Sequence, residues 1–293
     1  MNKNSKLIRY AVLLGLLLLQ ISPKSFAAEC DRRCLGEMMD QFIGSMLAHD
    51  HTRLPLADEV KFTVDGQVAT LGEGVWQTVT SVQGFRQDYL DLREQVAASH
   101  VAFYEGENQI LLSVLLHINE DTQISGIETL AQRVTPQSRF QPRVLDQPVR
   151  GMNDPIPAGK RQPRESMVET ALTYTEGLRI GNFTDAGTPF APSAYRVENG
   201  WITAEGDGMY AQNIMVHPGI LASVAAVDEE NGVVLLWMNF GHTGDSYGLG
   251  NALVTYEAFK VWDGQIQSIN AFFTGLPISR ARFWPSTDPV YKQ

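Results

Sequence analysis

Two groups of side chains have types and spacing suited to acid/base chemistry. The first is His49, Asp50, His51 and Arg53, packed into five residues. An aspartate beside an imidazole fixes its tautomer and raises its basicity, and an arginine holds a carboxylate or oxyanion. The second is Asp228 with His242, which closes the apolar run Val233–Phe240. Trp76, Trp201, Tyr210 and Trp237 are the aromatic residues expected to wall the sites that these groups serve. Each group also has a plainer reading. Asp50 caps local backbone and pairs with Arg53 at the surface; His242 is a turn residue with a local hydrogen bond. Glu73 reads as a loop acid, His117 as a structural histidine and His217 as a loop residue before proline.

Other chemistries lack their motifs. Gly72-Glu73-Gly74 has no following Lys-Ser/Thr, so it is no phosphate loop, and Gly241–Gly250 lacks that spacing too. The second stretch reads as a loop near the second pocket. No metal motif and no nucleophile elbow are found, so no metal and no cofactor are expected. Cys30 and Cys34 lie four apart, which on one helical turn puts their Cα atoms about 6 Å apart, within reach of a disulfide. A metal would need further ligands nearby, and the histidines are distant.

The elements that must position these residues are repeated. Residues 54–76 align with 188–210 without a gap, at an offset of 134. Pro55, Ala57, Gly66, Gly72 and Gly74 meet Pro189, Ala191, Gly200, Gly206 and Gly208, and Trp76 meets Tyr210. Asp65-Gly66 and Asn199-Gly200 are hairpin dipeptides. Upstream, Leu35, Met39, Phe42 and Met46 keep helical spacing, as do Met167, Ala171, Tyr174 and Leu178. Downstream come the apolar runs Gln109–His117 and Val233–Phe240. Asp121-Thr122-Gln123-Ile124 then answers Asp263-Gly264-Gln265-Ile266. Each unit therefore reads as a helix, a short strand, a Gly-rich connection and long antiparallel strands, an α+β order. The expected units are 29–134 and 165–293. The linker, 135–164, holds six of the 14 prolines and reads as a strap over the surface.

Length and composition bound the rest. The 293 residues are 44% hydrophobic and 19% charged, ordinary for a globular chain. The net charge of −10 argues against nucleic-acid partners, because phosphate is repelled. Lys3, Lys6 and Arg9 precede the apolar stretch Ala11–Leu19, and Ser25-Phe26-Ala27-Ala28 offers a cleavage site. Residues 1–28 thus read as a signal peptide, whose apolar stretch Ala11–Leu19 is too short to span a bilayer, where about 20 residues are needed. Cleavage would remove four cations and move the net charge to −14. The expected location is periplasmic or secreted, where a Cys30–Cys34 disulfide is the default and no integral membrane segment is left after cleavage.

The repeated units resemble the nuclear-transport-factor-2-like (SnoaL-like) cone. The residues that carry the resemblance are Ala48–Ala57 with Gly72-Glu73-Gly74 and Trp76, the opening Cys30–Leu35, Val227–Gly232 and Phe240-Gly241-His242. They look like a largely uncharacterised secreted bacterial and fungal family with the fold in tandem. The match is weaker near Pro277–Trp284. The resemblance implies helices wrapped by a curved antiparallel sheet, an apolar pocket in each unit, and pairing of the two units as an intramolecular pseudo-dimer. Cones of this class host isomerases, dehydratases, lyases and epoxide hydrolases, and also plain binding domains. The expected function is a cofactor-independent enzyme acting on a small hydrophobic or aromatic molecule. The alternatives are a periplasmic binding protein without turnover and an envelope interaction scaffold. Further oligomerisation is compatible with this reading but not required by it.

Overall fold

The computed structural model describes residues 29–145, 149–210, 216–242 and 246–285. The expected signal peptide lies outside the described residues. Among those described, no helix is long and apolar enough to cross a membrane.

The first unit opens with α1 (Arg32–Leu47). Asp31 caps it, its side chain accepting the Cys34 N–H at 2.8 Å. Cys30 and Cys34 are disulfide-bonded across this first turn, with Cα atoms 5.2 Å apart. There follow β1 (Leu56–Val64), β2 (Gln67–Val68), the single turn α2 (Val75–Thr78), β3 (Ser81–Asp91), β4 (Val96–Glu105), β5 (Asn108–Ile118) and β6 (Ile124–Val134). The second unit repeats the series with α3 (Arg164–Ile180), β7 (Phe190–Glu198), β8 (Trp201–Glu205), β9 (Leu221–Asp228), β10 (Val233–Asn239), β11 (Asn251–Trp262) and β12 (Gln265–Pro277).

The two sheets have the same strand order, β2-β1-β6-β5-β4-β3 and β8-β7-β12-β11-β10-β9. Each is antiparallel except at one place: β1 runs parallel to β6, and β7 parallel to β12. That pairing corrects the expectation of a purely antiparallel sheet. It brings the first long strand of each unit beside the last. Asp65-Gly66 and Asn199-Gly200 both take positive φ, which turns β1 into β2 and β7 into β8.

Alternation along the strands gives each sheet two buried faces. One face packs on its own helix. In unit one this core holds Leu35, Met39, Phe42 and Met46 with Phe62, Trp76 and Leu112. In unit two it holds Met167, Ala171, Tyr174 and Leu178 with Phe183, Phe190 and Phe259. The other faces meet in a third core, where Phe85, Tyr89, Leu111 and Leu115 pack with Trp237, Val254, Tyr256 and Phe272. The proline-rich strap covers part of sheet two on its face away from α3, where Leu145, Val149 and Met152 join the third core, and Pro142 and Leu145 sit over Gly200. The segment after β12 does the same to sheet one, with Arg280 and Ala281 over Gly66.

Candidate functional site

The first expected group stays at the surface. His49, Asp50, His51 and Arg53 form the connection between α1 and β1. Asp50 accepts the Thr52 N–H at 3.1 Å and its hydroxyl at 2.6 Å, and lies 3.5 Å from Arg53. It bonds no imidazole. These contacts, the Thr52 hydroxyl first, hold its pKa below the usual value. His49 Nδ1 donates to the Trp76 carbonyl at 2.7 Å. Trp76 itself is core rather than pocket wall. It is 1% exposed and set edge-on to Phe42 and Phe62.

The second group is not brought together. Asp228 pairs with Val233 at one end of the β9–β10 ladder, while Asn239, just before His242, pairs with Leu221 at the other. Seven strand residues separate the two ends, about 20 Å. Asp228 is fully buried and belongs to a clamp between the units. Arg32, first residue of α1, donates to both its oxygens at 2.8 Å, and the Leu90 N–H donates at 3.2 Å. The mirror contact is complete. Arg164, first residue of α3, donates to both oxygens of Asp91 at 3.0 and 2.7 Å, and the Val227 N–H donates at 2.8 Å. Trp237 is also reassigned, since it lies in the core between the sheets and not in the interior of unit two. Trp201 carries the Arg143 guanidinium 4.1 Å above its ring, and the Tyr210 hydroxyl bridges Thr188 O and Phe190 N. Both aromatic side chains have structural partners.

Comparing the two helix-side cores position by position exposes a different site. Phe42 and Tyr174 occupy the same place on their helices. Phe62 lies opposite Ile127, and Arg196 opposite Ile269. Val64 and Val114 both flank Thr129; Glu198 and Glu257 both flank Ala271. Four apolar residues in unit one are thus tyrosine, arginine and two glutamates in unit two.

These four are neighbours, with Tyr174 and Glu257 buried and Arg196 and Glu198 half-buried. Glu257 is 2% exposed, and its Oε1 has no hydrogen-bond partner. Burial first, then the Glu198 carboxylate, push its pKa up to about 8, against the pull of Arg196 and Tyr174. Arg196 donates to the Tyr174 hydroxyl at 2.9 Å and to Thr203 Oγ1 at 3.0 Å, and lies 3.5 Å from Glu198. Burial disfavours the guanidinium charge, but Tyr174, Glu198 and Glu257 more than offset this and its pKa is raised. Burial also holds the Tyr174 pKa well above its usual value, so its proton stays available for donation. Phe183, Phe190 and Phe259 surround the Tyr174 ring. At the edge of this core Phe140 meets Phe273 edge-on, Tyr247 packs beside them, and a cavity of about 160 Å³ opens between them. The chemistry available is that of a neutral carboxyl and a phenol in a buried site beside an arginine and a second glutamate: proton donation and stabilisation of a developing oxyanion. The signal for it was in the sequence, as polar residues at positions where the other copy is apolar.

A family model described as a domain of unknown function (DUF8021) matches residues 160–273, the span of the second unit from just before α3 into β12. No curated protein matches the chain. Among solved structures the chain is similar to an NTF2-like protein of unknown function from Shewanella baltica OS155. The identity is 17% and the TM-score 0.28, over 39% of this chain and 93% of that one.

Proposed function

We propose that the chain is an exported tandem of two NTF2-like cones, paired as an intramolecular pseudo-dimer. Its second unit is a cofactor-independent acid/base enzyme of lyase, isomerase or hydrolase type, acting on a small hydrophobic or aromatic molecule. The pairing is supported by the reciprocal clamps, since Arg32 to Asp228 and Arg164 to Asp91 relate the units as a two-fold axis would. The observation that carries the catalytic reading is Glu257, a buried carboxyl with one oxygen unpaired and its pKa raised by burial.

In this reading Glu257 is the proton donor and then, once ionised, the acceptor. Tyr174 shares the oxyanion, and Arg196 positions the tyrosine. His49, Asp50, Arg53 and His242 take no part in the chemistry, because none lies beside a buried acid.

A thermal-shift screen of small aromatic and terpenoid compounds, followed by product analysis, tests the proposal. Hits should be converted by the wild type and left intact by Glu257→Gln. Conversion at an equal rate by both would refute it. A second reading, binding without turnover, is favoured by the larger cleft under the strap, about 590 Å³. Hits that stabilise the protein and are recovered unchanged support that reading instead.

A further inference from the structure

We infer a second ligand site, apart from the Glu257 interior, under the strap on the face of sheet two away from α3. It takes a neutral planar aromatic molecule bearing one hydroxyl or carbonyl group. Two lobes of about 590 and 300 Å³ meet there, sharing Arg150, Gly151, Asp154 and Tyr195 as their common wall. Their sizes fit a small-molecule site.

The smaller lobe supplies the chemistry. Trp262, Tyr195, Pro155 and Pro157 give it flat apolar walls, and Ser268 and Gln267 its polar groups. Ser268 is 1% exposed, and its hydroxyl has no hydrogen-bond partner. A buried hydroxyl left unpaired costs free energy, and a ligand group that pairs with it recovers that cost.

The duplication shows what this location accommodates. Ser268 lies opposite Lys260 as Gly126 lies opposite His117, so the two positions are equivalent. Over Gly126 sits an indole delivered by the chain itself. Trp284 stacks on His117 with ring centres 4.1 Å apart, and its Nε1 donates to Thr63 Oγ1 at 3.1 Å. A Cβ at position 126 would come within 2.0 Å of that ring. Unit one is thus plugged by its aromatic ring, with about 10 Å³ left over. In unit two the strap leaves the two lobes open. The serine prevents a ring from lying as deep as Trp284 does, and replaces that contact with a hydrogen bond. In the smaller lobe the Arg150 and Asp154 charges offset each other, which favours a neutral ligand there.

Fluorine NMR of the full chain with 4-fluorophenol and fluorobenzene tests the site. The expected result is saturable binding of 4-fluorophenol, about tenfold tighter than fluorobenzene, the effect of one hydrogen bond of about 1.4 kcal/mol. Ser268→Ala should bring 4-fluorophenol to the fluorobenzene level without lowering the melting temperature, since it removes an unpaired group. Ser193→Trp, on the exposed side of the same lobe, should block both probes. Glu257→Gln should leave both unchanged, which separates this site from the proposed catalytic one. No saturable binding, or binding lost in Glu257→Gln and kept in Ser268→Ala, overturns the inference.

Discussion

Arg164→Met should cost far more stability than Arg32→Met, although the two arginines hold equivalent positions. The Arg164 and Asp91 side chains are 1% and 0% exposed. Removing the guanidinium leaves Asp91 buried, with only the Val227 and Glu94 N–H groups to satisfy it. Breaking a buried pair from one side costs about 3–5 kcal/mol. The Arg32 side chain is 27% exposed, so water screens its pair and takes its place when it is removed. That lowers the expected cost to about 1–2 kcal/mol. At about 2–4 °C per kcal/mol for a chain of this size, the melting temperature should fall by about 10 °C in Arg164→Met and about 4 °C in Arg32→Met. Thermal unfolding followed by circular dichroism measures both. Arg164→Met combined with Asp91→Leu should recover most of the loss, because replacing both partners of a buried pair is nearly neutral. Equal losses in the two single variants, or no recovery in the double, would refute the reasoning.

Other outcomes follow from the same geometry. Glu257 has a folded-state pKa near 8 against an ordinary 4.5, so the folded state holds its proton over that window. Stability from this group is full below about pH 4.5 and lost as pH rises through about 8, a loss on the order of a few kcal/mol. Glu257→Gln should flatten that part of the stability–pH curve in denaturant titrations; an unchanged curve would count against a neutral carboxyl. Gly126→Ala should expel Trp284 from its stack on His117, which indole fluorescence would report, and Trp284→Ala should relieve the added strain. Reduction of Cys30–Cys34 should cost at most about 2 kcal/mol, since the loop it closes is short; a larger fall in denaturant midpoint would mean that the bridge holds more than the start of α1.

The duplication was legible because turns advertise themselves. Asp65-Gly66 and Asn199-Gly200 need positive φ, and few residue pairs supply it. The helices were legible from spacing alone. The parallel pairing of β1 with β6 was not, because strand direction is a matter of tertiary connection and leaves no period in the sequence. The Asp228–His242 pairing failed for a related reason. The two are near along the chain, but the seven-residue strand between them, itself legible as an apolar run, carries them to opposite ends of the β9–β10 ladder. Asp228 and Asp91 serve the arginines that open the opposite units, contacts 196 and 73 residues apart that no local pattern shows. Glu257 was passed over as one polar letter within an apolar strand. It gains meaning only beside Val114, its equivalent in the first unit, and beside Tyr174 and Arg196, which the fold brings to it.

Infrared difference spectroscopy of the carboxyl stretch tests the central claim most directly, because it sees the Glu257 proton itself. Near neutral pH the wild type should show a protonated-carboxyl band that is missing from Glu257→Gln and fades as pH passes through about 8. Identical spectra for the two proteins near neutral pH would contradict the account.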